Sequence, residues 1–224
     1  VKQASKILLF LVLAFVLTKL PFAGKYFAVA NTLIHEVGHQ LASLGTFGKA
    51  HHIQLFSNTE GLALSSHRFW LGRFITALAG YVFASLMAST FFFLIYKERY
   101  NIIIYILLSI LGISLLFWVR NWYGLFWIIT FSTGFVWMLW KTKGPIIENV
   151  VLLLVSIIFI ESITSAFEIM YLSFTSPSDA GDASSLSRLT YLIPSQVWGI
   201  LFFTQSLFFG WFAMKNFLPF SKNQ

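Results

Sequence analysis

The chain has 224 residues, of which 58% are hydrophobic and only 10% charged; it carries a net charge of +7 and no cysteine. A soluble domain carries about 25% charged residues, so this composition excludes one and fits a single bundle of membrane helices. The missing cysteines exclude disulfides, thiol catalysis and cysteine metal sites. The basic residues are scattered between apolar runs, which reads as anchoring to the anionic headgroups of a lipid bilayer and not as a nucleic-acid surface.

In chain order, seven apolar stretches are expected as spans, at about 5–22, 26–46, 69–96, 100–118, 122–140, 146–171 and 191–214. Lys2 and Lys6 ahead of the run Ile7–Leu17, with Ala28-Val29-Ala30 further on, have the outline of a signal peptide. Lys19, Pro21 and Lys25 make the intervening stretch too long and too charged for one, so a retained first helix is expected. Lys19, Pro21 and Gly24 part the first span from the second, and Lys97-Glu98-Arg99 parts the third from the fourth. The stretch 100–140 is too long for one crossing of a ~30 Å hydrocarbon core, so it must turn at Arg120-Asn121-Trp122-Tyr123-Gly124. Lys141-Thr142-Lys143-Gly144-Pro145 forms the next turn. The expected fold is an all-α polytopic membrane protein of about six to seven transmembrane helices, one domain over residues 1–224.

Inside the second stretch stands His35-Glu36-Val37-Gly38-His39. Residues four apart share a helix face one turn from each other, so the two imidazoles can grip one Zn²⁺ and Glu36 can reach a water on it. Ionisable groups at membrane depth are costly and are usually retained for function. The alternative is that the three satisfy one another in a bundle without a metal. Gly38 and Ala42 keep this helix slim, and Ala77, Gly80, Ala84 and Ala88 give the third span a small-residue face suited to close packing.

Two loops are long enough to carry chemistry. In 47–68, Ala50–Phe56 has β-propensity, Ser57-Asn58-Thr59-Glu60-Gly61 has turn chemistry, and Leu62–Ser66 follows; a β-hairpin at the membrane surface is expected. The loop 172–190 is rich in Ser, Asp and Gly and holds Asp179 and Asp182. Counting crossings from the second span puts the hairpin, Arg120-Asn121 and the 172–190 loop on one side, the side toward which His39 lies. A catalytic zinc takes three protein ligands and keeps a position open. Asp182, Asp179, Glu161 and Glu168 compete for the third place; the two glutamates, seven apart on the sixth span, could equally form a polar packing seam or line a wet cavity. His51, His52 and His67 read as surface residues, because neighbouring strand residues point to opposite faces.

The run Asn31–Leu44 around His35-Glu36-Val37-Gly38-His39, the hairpin with Gly61, Ala77-Leu78-Ala79-Gly80-Tyr81 and Val119–Gly124 resemble the bacterial site-2-protease-like intramembrane zinc metalloproteases, in a compact branch without a PDZ domain. In that branch an Asp-Ala pair followed by Leu-x-x-Leu-Thr precedes the last helix. Asp182-Ala183 and Leu186-Ser187-Arg188-Leu189-Thr190 fit that frame, so the resemblance favours Asp182 over Asp179. Better-known members carry the aspartate in an Asp-Gly motif, which this chain lacks. The resemblance implies one Zn²⁺ on His35, His39 and Asp182, Glu36 as general base, and a multi-pass protein of the bacterial cytoplasmic membrane whose histidine side faces the cytoplasm.

Peptide bonds in a transmembrane helix are shielded, so the expected substrates are transmembrane proteins or signal-peptide remnants that unwind locally, in regulated intramembrane proteolysis. An unwound segment can pair with a strand edge. Ile53, Gln54, Leu55 and Phe56 are the expected edge, and Asn121 a further substrate or oxyanion contact or, alternatively, part of a tight turn. Two other classes stand beside this one: a prenyl-protease-like membrane zinc peptidase using Glu161 or Glu168 as third ligand, and a non-catalytic transporter or scaffold retaining the fold.

Overall fold

A computed structural model describes residues 2–142 and 144–217; Lys143, in the turn expected at 141–145, lies outside the described residues. The helices are α1 (Lys2–Thr18), α2 (Ala23–Gly45), α3 (Trp70–Tyr96), α4 (Tyr100–Ile113), α5 (Trp122–Lys141), α6 (Pro145–Thr175), α7 (Gly181–Thr190) and α8 (Ser195–Phe217). A hairpin of β1 (Lys49–Leu55) and β2 (Gly61–Ser66) joins α2 to α3. Five helices among the described residues are long and apolar enough to cross a membrane: α3, α4 with its continuation to Trp118, α5, α6 and α8. Helices α1 and α2 bend 107° at their break and together make one further candidate, giving six, the lower of the two expected counts. The bend falls where Lys19, Pro21 and Gly24 interrupt the apolar pattern. A Cβ on Gly24 would strike the carbonyls of Leu17 and Thr18, so the corner closes only around glycine. Ala28, Val29 and Ala30 lie buried inside α2.

Close packing of α2 on α3 puts the two motif helices in register. A Cβ on Gly38 would meet Phe83 Cβ at 2.7 Å and the Ala79 carbonyl at 3.1 Å, which confirms the role expected of that glycine. The main core runs from Val29, Leu33 and Ile34 of α2 through Phe91 and Phe92 of α3 to Trp127 of α5 and Val155 and Ile158 of α6. A second, smaller core gathers Tyr81 of α3, Ala166 of α6, Ala180, Ala183 and Leu186 at α7, and Trp198 and Phe202 of α8.

The hairpin folds back along α2. Gln40, fully buried, donates from Nε2 to the carbonyls of His52 and Leu64, one on each strand. Thr32 donates to the Thr59 carbonyl in the turn. Thr32 lies 13 residues before the end of α2, so the tip reaches about 20 Å along that helix. On the other side β1 is sealed by the chain leaving α4. A π-turn over Ser114–Trp118 ends in a parallel bridge between Val119 and Ile53. The Arg120 N–H donates to the Ile53 carbonyl, while the Asn121 amide accepts from Leu55 N–H and donates to its carbonyl. The Arg120 guanidinium caps the carbonyls of Leu115, Leu116, Phe117 and Val119, which the helix end leaves without partners.

The hairpin, residues 119–121 and the α6–α7 connection thus meet at one end of the bundle, as the counting of crossings requires. Single cysteines in this cysteine-free chain should show it: a membrane-impermeant maleimide should label Lys49→Cys and Ser178→Cys from one side and Glu98→Cys from the other. Labelling of positions 49 and 178 from opposite sides would contradict this topology.

Candidate metal centre

His35 and His39 leave α2 on the face toward α3, four residues and one turn apart. Asp182 comes from the first turn of α7, where the helix N-terminus favours a carboxylate. Gly181, just before it, has φ +47°, a conformation disfavoured for residues with a Cβ. Ala180 and Ala183 are fully buried on either side, and the Ser184 hydroxyl, directed at the Pro177 and Ser178 carbonyls, ties α7 to the preceding turn. These contacts set where Asp182 points.

Asp182 Oδ2 lies 3.2 Å from His35 Nε2 and 3.2 Å from His39 Nε2, and the two nitrogens are 3.0 Å apart. Four ligands bound tetrahedrally to Zn²⁺ at ~2.0–2.1 Å are separated by about 3.3–3.4 Å, so these three atoms nearly form one face of such a tetrahedron. His39 Nδ1 lies 2.6 Å from the Thr76 carbonyl, which can only accept. Nδ1 therefore carries the proton, and in the neutral ring Nε2 is left with its lone pair toward the other two donors. Asp182 Oδ2 is buried with no hydrogen-bond partner among the described residues, another lone pair aimed at the same point. Two imidazole nitrogens and one carboxylate oxygen converging on one point suit a divalent cation. These are also the three residues that form a possible metal group among the described residues.

The group is not sealed. The side chains of His35 and Asp182 keep 15% and 20% exposure, so a fourth position can be reached from outside. Glu36 is buried at 5% exposure, one step round α2, against the start of β2. The Ala63 N–H faces its carboxylate.

Two glycines make the room. A Cβ on Gly80 would come within 2.5 Å of Nε2 of both histidines. A Cβ on Gly61 would collide with Glu36 Oε1 and lie 2.7 Å from Thr32 Cγ2. Gly80 is expected from sequence only as part of a packing face, and its place beneath the imidazoles is additional. Thr76 has no signature in the sequence, since it acts through its backbone. Tyr81, edge-on to the His35 ring at 4.5 Å between centroids, fixes that ring from the other side.

The other candidate residues lie elsewhere. Asp179 is exposed in a 3₁₀ turn outside the group. Glu161 and Glu168 line a separate cavity of about 530 Å³ with Lys19, Lys25 and Thr59. His51 pairs with Ser66 and His67 with Ser65. For the substrate contacts the structure differs from expectation. Ile53 and Leu55 are fully buried, and their outward backbone groups are bonded to Arg120 and Asn121. Asn121 is occupied by Leu55, acting as a short substitute strand. The edge expected on β1 is closed because hydrogen-bonding groups at membrane depth find partners within the chain.

A bundle of membrane helices with a two-histidine, one-carboxylate group is the architecture of a membrane metalloenzyme. The Peptidase M50B-like family matches residues 8–213, and the chain belongs to that family, which makes it an intramembrane metallopeptidase. No curated protein and no solved structure matches it.

The glycines give a paired test. Gly80→Ala, a substitution that favours helix by about 1 kcal/mol on its own, should fold yet lose bound metal, measured by elemental analysis. Gly61→Ala should keep the metal and lose peptidase activity, because its Cβ displaces the Glu36 carboxylate. Full metal in Gly80→Ala would contradict the assignment of space at the imidazoles.

Proposed function

We propose that the chain is a zinc endopeptidase, one transmembrane domain, that cuts membrane-embedded protein segments in regulated intramembrane proteolysis. The observation that carries this is the convergence of His35, His39 and Asp182 within 3.2 Å of one another beside a buried, unligated Glu36. One Zn²⁺ is held by those three residues. Bound there, the ion supplies Lewis acidity, bringing the pKa of its water toward ~7 and polarising the scissile carbonyl. The chain's own residues do the rest. Glu36 takes the proton from the attacking water on its carboxylate and delivers it to the nitrogen of the leaving amine. Thr76 and Tyr81 hold the imidazoles in place. Glu36 is not needed to hold a metal, so its presence in the motif favours the peptidase over a scaffold that merely binds one.

The substrate lies along β2. Residues directly opposite each other in an antiparallel pair turn their backbone groups the same way relative to the ladder. Ile53 and Leu55 turn theirs away from β2, so their partners Ala63 and Gly61 turn theirs away from β1. Those outward groups have no backbone partner among the described residues, and they flank Glu36. An unwound substrate segment pairs with them and brings its scissile carbonyl to the metal. Substrates are transmembrane proteins or signal-peptide remnants with helix-weakening residues near the cut. The enzyme sits in the bacterial cytoplasmic membrane with the hairpin end toward the cytoplasm.

Metal content and cleavage of a single-span substrate, measured on the same preparations, test the reading. Glu36→Gln should retain one zinc and lose activity by about 10²–10⁴-fold, the usual worth of a general base. Asp182→Ala should lose the zinc, whereas Asp179→Ala, Glu161→Ala and Glu168→Ala should keep it. Ala63→Pro removes an outward N–H, the one that also faces the Glu36 carboxylate, and leaves the β1–β2 ladder intact, so it should keep zinc and cleave poorly. Zinc loss in Glu161→Ala or Glu168→Ala would favour the prenyl-protease-like site, and undiminished turnover in Ala63→Pro would remove the β2 edge from the account.

A further inference from the structure

Where α2 ends and the hairpin opens, a second cavity of about 270 Å³ is lined by Phe47, Gly48, Lys49, Ser66, His67 and Arg68. Its charge is uncompensated. Lys49, Arg68 and the nearby Arg73 form no ion pair among the described residues, where the ion pairs are those of the two histidines with Asp182. Between Glu36 and Glu98 the sequence holds a single acid, Glu60. That residue precedes Gly61, which pairs with Leu55 at the far end of the hairpin from the Lys49–Ser66 pair. Cations without carboxylate partners, gathered on one wall at the end of a membrane bundle, attract anions.

The lining combines polar side chains with one exposed aromatic ring. His67 Nδ1 is buried without a hydrogen-bond partner among the described residues and lies against two glycines. A Cβ on Gly48 would come within 2.9 Å of it, and one on Gly72 within 3.3 Å. Nε2 of the same ring is engaged by the Ser65 hydroxyl at 2.9 Å. Phe47, in the lining, is exposed at 84%, and Phe69 and Trp70, which follow Arg68 in the chain, are exposed at 65% and 53%, with Trp70 stacked on Phe74. Phe47 holds φ +58° at the end of α2, a position where glycine is the usual residue. A bulky ring kept outward in that conformation belongs to the boundary between acyl chains and headgroups.

We propose that this cavity binds the phosphate of an anionic phospholipid headgroup, with Lys49 and Arg68 as the charged contacts and the exposed rings of Phe47 and Phe69 against the upper acyl chain. The cations alone would serve any phosphate; the exposed rings commit the site to a lipid. The site lies outside the metal group and does not depend on it.

The test uses the full chain in nanodiscs of dioleoylphosphatidylcholine, with dioleoylphosphatidylglycerol titrated in and retained lipid counted by native mass spectrometry. The wild type should hold one phosphatidylglycerol in preference to phosphatidylcholine. Lys49→Gln combined with Arg68→Gln should weaken that retention roughly thirtyfold, since each basic residue near a membrane surface is worth a factor of about five. Lys49→Arg with Arg68→Lys should preserve it, which separates loss of charge from loss of fold. Equal retention of the two lipids, or an unchanged affinity in the charge-removed variant, would overturn the proposal. So would displacement of phosphatidylglycerol by equimolar inorganic phosphate, which would make the cavity a site for free anions.

Discussion

A backbone N–H or C=O placed in hydrocarbon without a partner costs several kcal/mol, and this chain carries an open two-stranded hairpin back along a membrane helix. Much of the structure around α2 answers that constraint. Gln40 clamps both strands to the helix, Thr32 holds the turn, and residues 119–121 close the outer edge of β1. The π-turn at the end of α4 delivers Val119 to Ile53, and Arg120 caps the carbonyls left behind. The outward edge of β2 at Gly61 and Ala63 has no backbone partner among the described residues, and it lies beside Glu36, whose carboxylate the Ala63 N–H faces. An open strand edge next to a buried carboxylate is the place we propose for a substrate backbone.

The metal group obeys the same economy. A buried carboxylate beside two imidazoles is costly to desolvate, and a divalent cation bound by all three would offset that cost. The three are held together by their neighbours alone. Gly38 lets α2 approach α3, Gly80 leaves the gap in which the imidazoles meet, the Thr76 carbonyl fixes one tautomer, and the small core under α7 fixes the aspartate. Positioning by rigid neighbours is what allows donors from elements nearly 150 residues apart in the chain to act as one site.

Much of this was legible in the sequence, because hydrophobic runs and a spaced motif are local signals. The helices fall close to the expected spans, and counting crossings brought Asp182 to the histidine side without any knowledge of packing. What escaped the sequence was non-local. The bend that merges α1 and α2 into one pair depends on backbone angles at Phe22 and close contact at Gly24. Strand propensity placed β1 correctly but could not say which edge of the hairpin is covered, because the cover comes from Val119 and Asn121, some 66 residues away. Asn121 read as a substrate contact for the same reason: an exposed-looking amide in a turn gives no hint that a strand will dock on it. Gly80 read as packing because the collision it avoids is with side chains on another helix.

Zinc K-edge X-ray absorption on the purified protein reports directly whether the proposed residues hold a metal. The predicted spectrum is a first shell of four N/O ligands at ~2.0–2.1 Å with outer-shell scattering from two imidazoles. Replacing Asp182 by asparagine should deplete or visibly alter that shell, with the two-imidazole signal intact in any zinc that remains. A shell with a single imidazole, or one unchanged by the Asp182 substitution, would contradict the account.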